Sequence, residues 1–208
     1  MPAIILASKS PRRKRALEIF GFSFSVEPAH IDEKSVQGKS LEELARKIAE
    51  EKAHVIAERH PEDAVIGIDT MVCKDSEIMG QPESEEEAGA MLSKLLGGWH
   101  IVCSGYCIIA PGKTISGSLG SKIKLKEVEE KTIKRYIAGG HWKGKAGGYN
   151  IEEKQFEGFV EKVEGSKLNI VGFPAEKLVP LIEAVSGQKA GKTIKQAEAL
   201  LFRGRLKE

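Results

Sequence analysis

Two segments of this chain are apolar at every position, Ala3-Ile4-Ile5-Leu6-Ala7 and Ala64-Val65-Ile66-Gly67-Ile68. Such uninterrupted runs read as buried strands. Phe22-Ser23-Phe24-Ser25-Val26 alternates instead, which predicts a half-buried strand. Elsewhere the period lengthens. Ser10 is a suitable N-cap and Pro11 suits the first helical position, so a helix is predicted from there to Gly21, with Leu17, Ile19 and Phe20 as its apolar contacts. Ser40 and Glu43 form a capping box ahead of Leu44, Ala45, Ile48, Val55 and Ile56. Ser84 and Glu87 repeat it ahead of Ala88, Met91, Leu92, Leu95 and Leu96. Asp75-Ser76-Glu77 marks a turn, and residues 99–110 and 114–128 read as long strands around Pro111-Gly112. Then follow a short helix over 130–138, a glycine-rich loop over 139–148 and strand signals at 156–163 and 168–171. A core helix opens at Pro174, and a last helix over 192–203 carries Ile194, Ala197, Leu200 and Leu201 on one side.

Strands alternate with helices early and antiparallel pairs come late, which predicts an α/β or α+β protein with a mixed sheet. The 208 residues fit one domain, or one domain with two lobes, over 1–186, with a basic tail over 187–208. No apolar run approaches a membrane span. The N-terminal apolar run is too short, with its charge on the wrong side, for a secretory signal. Three cysteines fit a reducing compartment, so a cytoplasmic location is expected. Cys103 and Cys107 share one face of a strand and read as small buried hydrophobes. The net charge is +2, from 32 basic and 30 acidic residues. That balance argues against a protein devoted to coating nucleic acid, and leaves room for a local anion site.

The chemistry gathers where the apolar strands end, because ligands of open α/β sheets sit at strand carboxyl ends. Ser8 follows the first strand. Lys9, Arg12, Arg13, Lys14 and Arg15 then place five cations within seven residues. A helix dipole disfavours cations in its first turn by roughly 0.3–1 kcal/mol each, and a bound anion reverses that penalty. Arg12 and Arg13 therefore read as phosphate ligands, and Lys14 and Arg15 as a solvated face. Lys52 continues the stripe of Ile48, Val55 and Ile56, and either snorkels or reaches into the cleft. Asp69 directly follows the second strand, where a carboxylate must be paired, hydrogen-bonded or metal-bound. It is a turn cap or a site residue; Asp69-Thr70-Met71 is not the DxD of haloacid-dehalogenase-type phosphatases. Glu33 could share a divalent cation with Asp69, though the spacing carries no metal signature. Gly187-Gln188-Lys189-Ala190-Gly191-Lys192-Thr193 falls one residue short of a P-loop and follows a helix, so it reads as a flexible basic turn. His30 and His141 lie in loops and are expected at the surface.

LASKSPRRKRALEIFG, VIGIDTMV with GQPESEEEAGAMLSKLLGGWHIVCSGY, and KAGGYNIE with NIVGFP resemble, in that order, the Maf family of nucleoside-triphosphate pyrophosphatases. The resemblance covers roughly residues 3–183. It implies an α/β fold of the inosine-triphosphatase type, a mixed twisted sheet in two lobes with a central cleft. It also implies Mg²⁺- or Mn²⁺-dependent hydrolysis of a nucleoside triphosphate to monophosphate and diphosphate. Ser8, Arg12, Arg13 and Lys52 match the family's phosphate-binding residues, and Glu33 matches an acidic site residue. Asp69 matches the proton acceptor, with Glu33 and Asp69 as the carboxylates for the metal. The chain departs from the family in Gly80-Gln81-Pro82, where Gly-Lys-Pro is usual. It departs again in Gly140-His141-Trp142-Lys143-Gly144-Lys145, where Gly-Glu-Pro-x-Asp-Lys is usual.

Base choice reads from Arg12, Thr70 and Glu152. Arg12 and Thr70 resemble the dTTP/UTP subfamily, which has glutamine in place of Glu152. Uracil and thymine present one N–H between two carbonyls, which suits an amide, whereas a carboxylate only accepts and suits the paired donors of guanine. Glu152 thus resembles the 7-methyl-GTP subfamily, which usually has an aromatic residue in place of Arg12. Trp142 either stacks on a base or packs. dTTP or UTP is the favoured substrate, with 7-methyl-GTP or another modified nucleotide as the alternative. A non-catalytic nucleotide binder or nucleic-acid-binding regulator is the contrasting class. Residues 9–15 with Lys189, Lys192, Lys195, Arg203, Arg205 and Lys207 would supply its basic contacts. The last helix packs on the core or on another subunit, which leaves a homodimer open.

Overall fold

The computed structural model describes residues 2–202. Its centre is a seven-stranded mixed sheet in the order β2-β1-β3-β5-β6-β7, with β4 attached to β3. The strands are β1 (Ile4–Leu6), β2 (Ser25–Val26), β3 (Ala64–Lys74), β4 (Glu77–Met79), β5 (Trp99–Ala110), β6 (Lys113–Leu125) and β7 (Val160–Glu164). The helices are α1 (Pro11–Phe20), α2 (Leu41–Ala57), α3 (Glu85–Leu95), α4 (Glu130–Ala138), α5 (Lys167–Ile170), α6 (Ala175–Ser186) and α7 (Ile194–Phe202). Strand β1 runs parallel to β2 and β3, while β3-β5-β6-β7 is antiparallel throughout. The mixed α/β class expected from the sequence is the one observed.

Successive residues of β1 and β3 point to opposite faces, and both faces are covered. Ile4, Leu6, Ile66 and Ile68 join the large core with α1, α3, α6 and α7, whereas Ile5, Ala7 and Val65 pack with Ala49, Ala53 and Ile56 of α2. Double burial is why these runs carry no polar alternation. The α2 backbone lies unusually close to the sheet. A Cβ on Gly67 would collide with the Ala49 carbonyl oxygen, and one on Gly105 with the Ala45 carbonyl. Only glycine lets the helix down that far. Both capping boxes form: the Ser40 hydroxyl accepts the Glu43 N–H at 3.2 Å, and Ser84 accepts that of Glu87 at 3.1 Å. Cys103 and Cys107 are buried, and burial pushes both thiols up to about 12.

Four local expectations need correction. The second apolar strand does not stop at Ile68. Strand β3 continues to Lys74, closing a hairpin with β4 through Asp75 and Ser76 at φ 51° and 66°. Residues 168–171 are not a strand, because the Ser166 hydroxyl accepts the Asn169 N–H and starts α5. The signal at 156–163 divides into a 3₁₀ turn, Lys154–Phe159, and then β7. The 22–26 strand shrinks to Ser25–Val26, because Phe22 turns into the large core.

The segment resembling a P-loop is pinned rather than flexible. Gly187 caps α6 in the left-handed conformation. The Gln188 side chain bonds both the N–H and the carbonyl of Ser23. Ala190 donates to Glu183 Oε1 at 2.8 Å, Gly191 to the Phe20 carbonyl at 2.8 Å and Thr193 to Gln196 Oε1 at 2.9 Å. Helix α7 then buries Ala197, Leu201 and Phe202 in the core, while Leu200 faces outward. The tail therefore packs on its own chain. Arg203, Arg205 and Lys207 lie outside the described residues. Among the described residues no helix is long and apolar enough to cross a membrane.

Candidate active site

One edge of β3 pairs with β1 at residues 64–66 and with β4 at 72–74. Residues 67–71 between them form a notch on that edge, and Asp69 and Thr70 sit in it. They point to opposite faces of the sheet, so each gathers its partners from a different side.

Asp69 faces α2, on the same side as Gly67. Because the glycines let α2 approach, Lys52 reaches the carboxylate: Lys52 Nζ lies 2.6 Å from Asp69 Oδ1 and 2.7 Å from Glu33 Oε1. Lys52 and Asp69 are 8% and 6% exposed, so the lysine reaches inward and does not snorkel. Glu33 opens a 3₁₀ turn, Glu33–Ser35, which the Asp32 carboxylate caps by accepting the Lys34 N–H. Two carboxylates from separate elements thus converge on one ammonium.

Thr70 faces the other side, and Arg13 of α1 is fixed there. Its Nη1 donates to Ser8 Oγ at 2.9 Å, its Nη2 to Thr70 Oγ1 at 3.1 Å and its Nε to the Gly172 carbonyl at 3.2 Å. Thr70 Oγ1 is held in turn by the buried Ser104 hydroxyl at 3.0 Å. Burial pulls the Arg13 guanidinium down to about 10, with Asp69 acting in the opposite sense. The group remains cationic at neutral pH. Ser10 stands at the N-cap without a side-chain cap bond; its N–H donates to Ser8 Oγ instead. Arg12 donates to the Gly144 carbonyl at 3.4 Å. Burial lowers its affinity for the proton, and Glu152 and Glu153 oppose that shift. Arg15 is exposed, and Lys14 pairs with Glu18 on the surface at 3.8 Å.

Both sets border one cleft. A cavity of about 600 Å³ is lined by Ser8, Arg12, Arg13, Glu33 and Lys52 on one side and by Lys143, Lys145 and Glu153 on the other. A smaller one of about 60 Å³ lies deeper, against Asp69, Thr70, Tyr149 and Gly172. Arg12, Arg13, Lys52, Gln81 and Asn150 line both. The basic turn and Asp69 therefore meet, though Asp69 stands inside a strand and not at its end.

Glu152 lines neither cavity. It is buried behind Asn150, and burial pushes its carboxyl up, opposed by a hydrogen bond from Asn150. Trp142 is buried, so it packs. His30 is exposed, as expected, and lines the large cavity, and His141 faces Glu153 at 3.4 Å. Lys145 bonds Glu153 at 2.6 Å. Gln81, the departure from Gly-Lys-Pro, is a cleft residue, and so is Asn150, which lies within the KAGGYNIE segment but is not itself among the predicted site residues. The Gly-Gly ahead of Tyr149-Asn150 was the one available hint, because it lets a loop turn back onto the sheet.

The sequence model described as "Maf-like protein" matches residues 3–185. The chain belongs to the Maf family. A Maf relative from Pyrococcus abyssi is 42% identical over 180 residues, covering 86% of this chain and 95% of that protein. One from Pyrococcus furiosus is 41% identical over 187 residues, covering 88% and 95%. One from a Geobacillus species is 38% identical over 179 residues, covering 86% and 96%. All three carry the name dTTP/UTP pyrophosphatase. The Maf match ends near the end of α6, so the pinned turn and α7 lie beyond it.

Proposed function

We propose that this Maf protein hydrolyses a nucleoside triphosphate of the dTTP/UTP type to monophosphate and diphosphate. The observation that carries the reading is the Lys52 ammonium held between Glu33 and Asp69, in a cleft whose adjoining wall is Ser8, Arg12 and Arg13. The names of the Pyrococcus and Geobacillus relatives support the same substrate class. The 7-methyl-GTP alternative drew on Glu152 as a base ligand, and that carboxylate lies outside the cavity walls. A nucleic-acid contact through the tail turn is disfavoured too, because that turn spends backbone donors on its own chain.

Arg12, Arg13 and Ser8 bind and orient the triphosphate oxygens. Arg13 does so from a fixed pose, since hydroxyl and carbonyl acceptors hold its fork without neutralising it. Lys52 supplies a further cation to the phosphates. Asp69 orients the attacking water or takes its proton. The donor set is of the kind Mg²⁺ or Mn²⁺ takes, because Glu33 and Asp69 bring hard carboxylate oxygens to one point, and both would pass from the Lys52 ammonium to the ion. Among the described residues no group of three His, Cys, Asp or Glu side chains could hold a metal alone. Glu33 and Asp69 would therefore hold it jointly with phosphate oxygens and water, the usual habit of Mg²⁺. Bound there, the ion would neutralise charge on the phosphates.

The test is direct measurement of diphosphate and monophosphate from UTP, dTTP, CTP, GTP and 7-methyl-GTP, with Mg²⁺, with Mn²⁺ and with a chelator. Release from UTP and dTTP is expected; activity that survives chelation would remove the metal. Asp69→Asn should lower kcat by roughly 10²–10⁴-fold while the melting curve stays cooperative. Wild-type kcat in that variant would take Asp69 out of the reaction.

A further inference from the structure

Asn150 stands in the wall shared by both cavities and is 8% exposed. Its amide is gripped at two points by the residue two places on. Oδ1 accepts the Glu152 backbone N–H at 3.1 Å, and Nδ2 donates to Glu152 Oε2 at 3.2 Å. A turned-over amide would set its NH₂ against that N–H and its carbonyl oxygen against the carboxyl group, so the network allows one orientation. After these two bonds Oδ1 keeps one lone pair and Nδ2 keeps one N–H.

We propose that Asn150 selects uracil and thymine over cytosine, with Oδ1 accepting the ring N3–H and Nδ2 donating to the neighbouring ring carbonyl. Glu152 is the positioning residue that keeps the amide from turning over. The inference rests on the pyrophosphatase reading of the cleft and names how that site chooses its base. Uracil and thymine share the same imide edge, and the thymine methyl lies away from N3. Cytosine offers the reverse pattern there, a bare N3 acceptor beside an amino donor. A free asparagine would rotate by half a turn and serve either base. One clamped by Glu152 would leave cytosine with donor facing donor and acceptor facing acceptor, a costly mismatch when buried. The carboxyl of Glu152 thereby acts through its neighbour, which removes the conflict between an acceptor-only group and a pyrimidine.

The experiment compares kcat/KM for UTP, dTTP, CTP and GTP in wild type, Asn150→Ala, Glu152→Ala and Glu152→Gln. Wild type should prefer UTP over CTP, and Asn150→Ala should erode that ratio by roughly tenfold or more, the effect of losing a buried pair of hydrogen bonds. Glu152→Ala should relax the ratio towards CTP in part, because it frees Nδ2 while the backbone N–H of residue 152 still holds Oδ1. Glu152→Gln should retain it, because its amide oxygen still accepts from Nδ2. An unchanged ratio in Asn150→Ala, or a swing of base preference in Glu152→Gln, would overturn the proposal. If wild type releases no diphosphate from any triphosphate, the pyrophosphatase reading fails separately. Calorimetric binding of α,β-methylene-UTP against α,β-methylene-CTP to the same four proteins then decides on Asn150 alone. Where Asn150→Ala does not fold, the two Glu152 variants carry the decision.

Discussion

The chain carries two short basic segments that lead into helices, residues 8–15 and 187–193, and they are built in opposite ways. In the first, the Arg13 guanidinium spends three of its five donors on neutral oxygens and lines the cleft with the rest. In the second, Ala190, Gly191 and Thr193 point their N–H groups at a carboxylate, a carbonyl and an amide of the same chain. By composition alone, residues 187–193 are the better match to a phosphate loop. What separates the two segments is where the donors go, and a donor already satisfied internally offers an anion little.

The sharpest way to break this contrast is Arg13→Ala. It should lower kcat/KM for UTP by about 10²-fold or more, as expected when a buried charged hydrogen-bonding group is truncated at a binding site. Wild-type kcat/KM would demote the first segment to surface. Next in size is Glu183→Ala, which unclamps the second segment. Unfolding titrations should report a loss of about 1 kcal/mol, the order expected for losing a hydrogen bond to a half-buried N–H, at unaltered kcat/KM; a large fall in activity would mean that the turn feeds the site.

Acid sharpens the contrast differently. The Arg13 clamp uses hydroxyl and carbonyl acceptors, which do not titrate in that range. His100 does. It is buried against the Tyr149 hydroxyl at 2.7 Å, and burial lowers it from 6.5 to about 3. The unfolded chain therefore binds the extra proton first. Stability is full above about pH 6.5 and is lost as pH falls towards 3. Melting temperatures should decline across that window, and His100→Gln should flatten the decline. An identical slope in the variant would clear His100. The smallest effect belongs to Lys189→Ala with Lys192→Ala. Both kinetics and stability should stay within about 0.5 kcal/mol of wild type, and a tenfold rise in KM would overturn the reading of that turn.

Much of the fold was legible because burial and capping leave local traces. The double-faced apolar runs, Pro11 after Ser10 and the two capping boxes each forecast an element that forms. Continuation of β3 past Asp69 was not legible. Polar residues end a strand in a pattern reading, yet here they occupy the unpaired stretch of an edge whose other side is fully bonded to β5. The cleft members named from the basic turn, Lys52, Glu33 and Asp69 do converge. Lys52 could not be decided from periodicity, because its direction depends on Gly67 and Gly105, distant glycines that set the height of α2. The direction of Glu152 was not legible for a related reason: a side chain two residues from a cleft residue can face its neighbour and not the cavity. The pinning of 187–193 depends on Phe20 and Ser23, far away in the chain, and leaves no mark in its own residues.

The notch on β3 has a mechanical consequence. From Val65 to Cys73 the strand is paired with β5, and the neighbours along its other edge change from β1 to β4. Asp69 therefore rides on a girder common to both ends of the molecule. A carboxylate carried on so fully paired a strand has the rigid support that aligning a water against a bound guest requires.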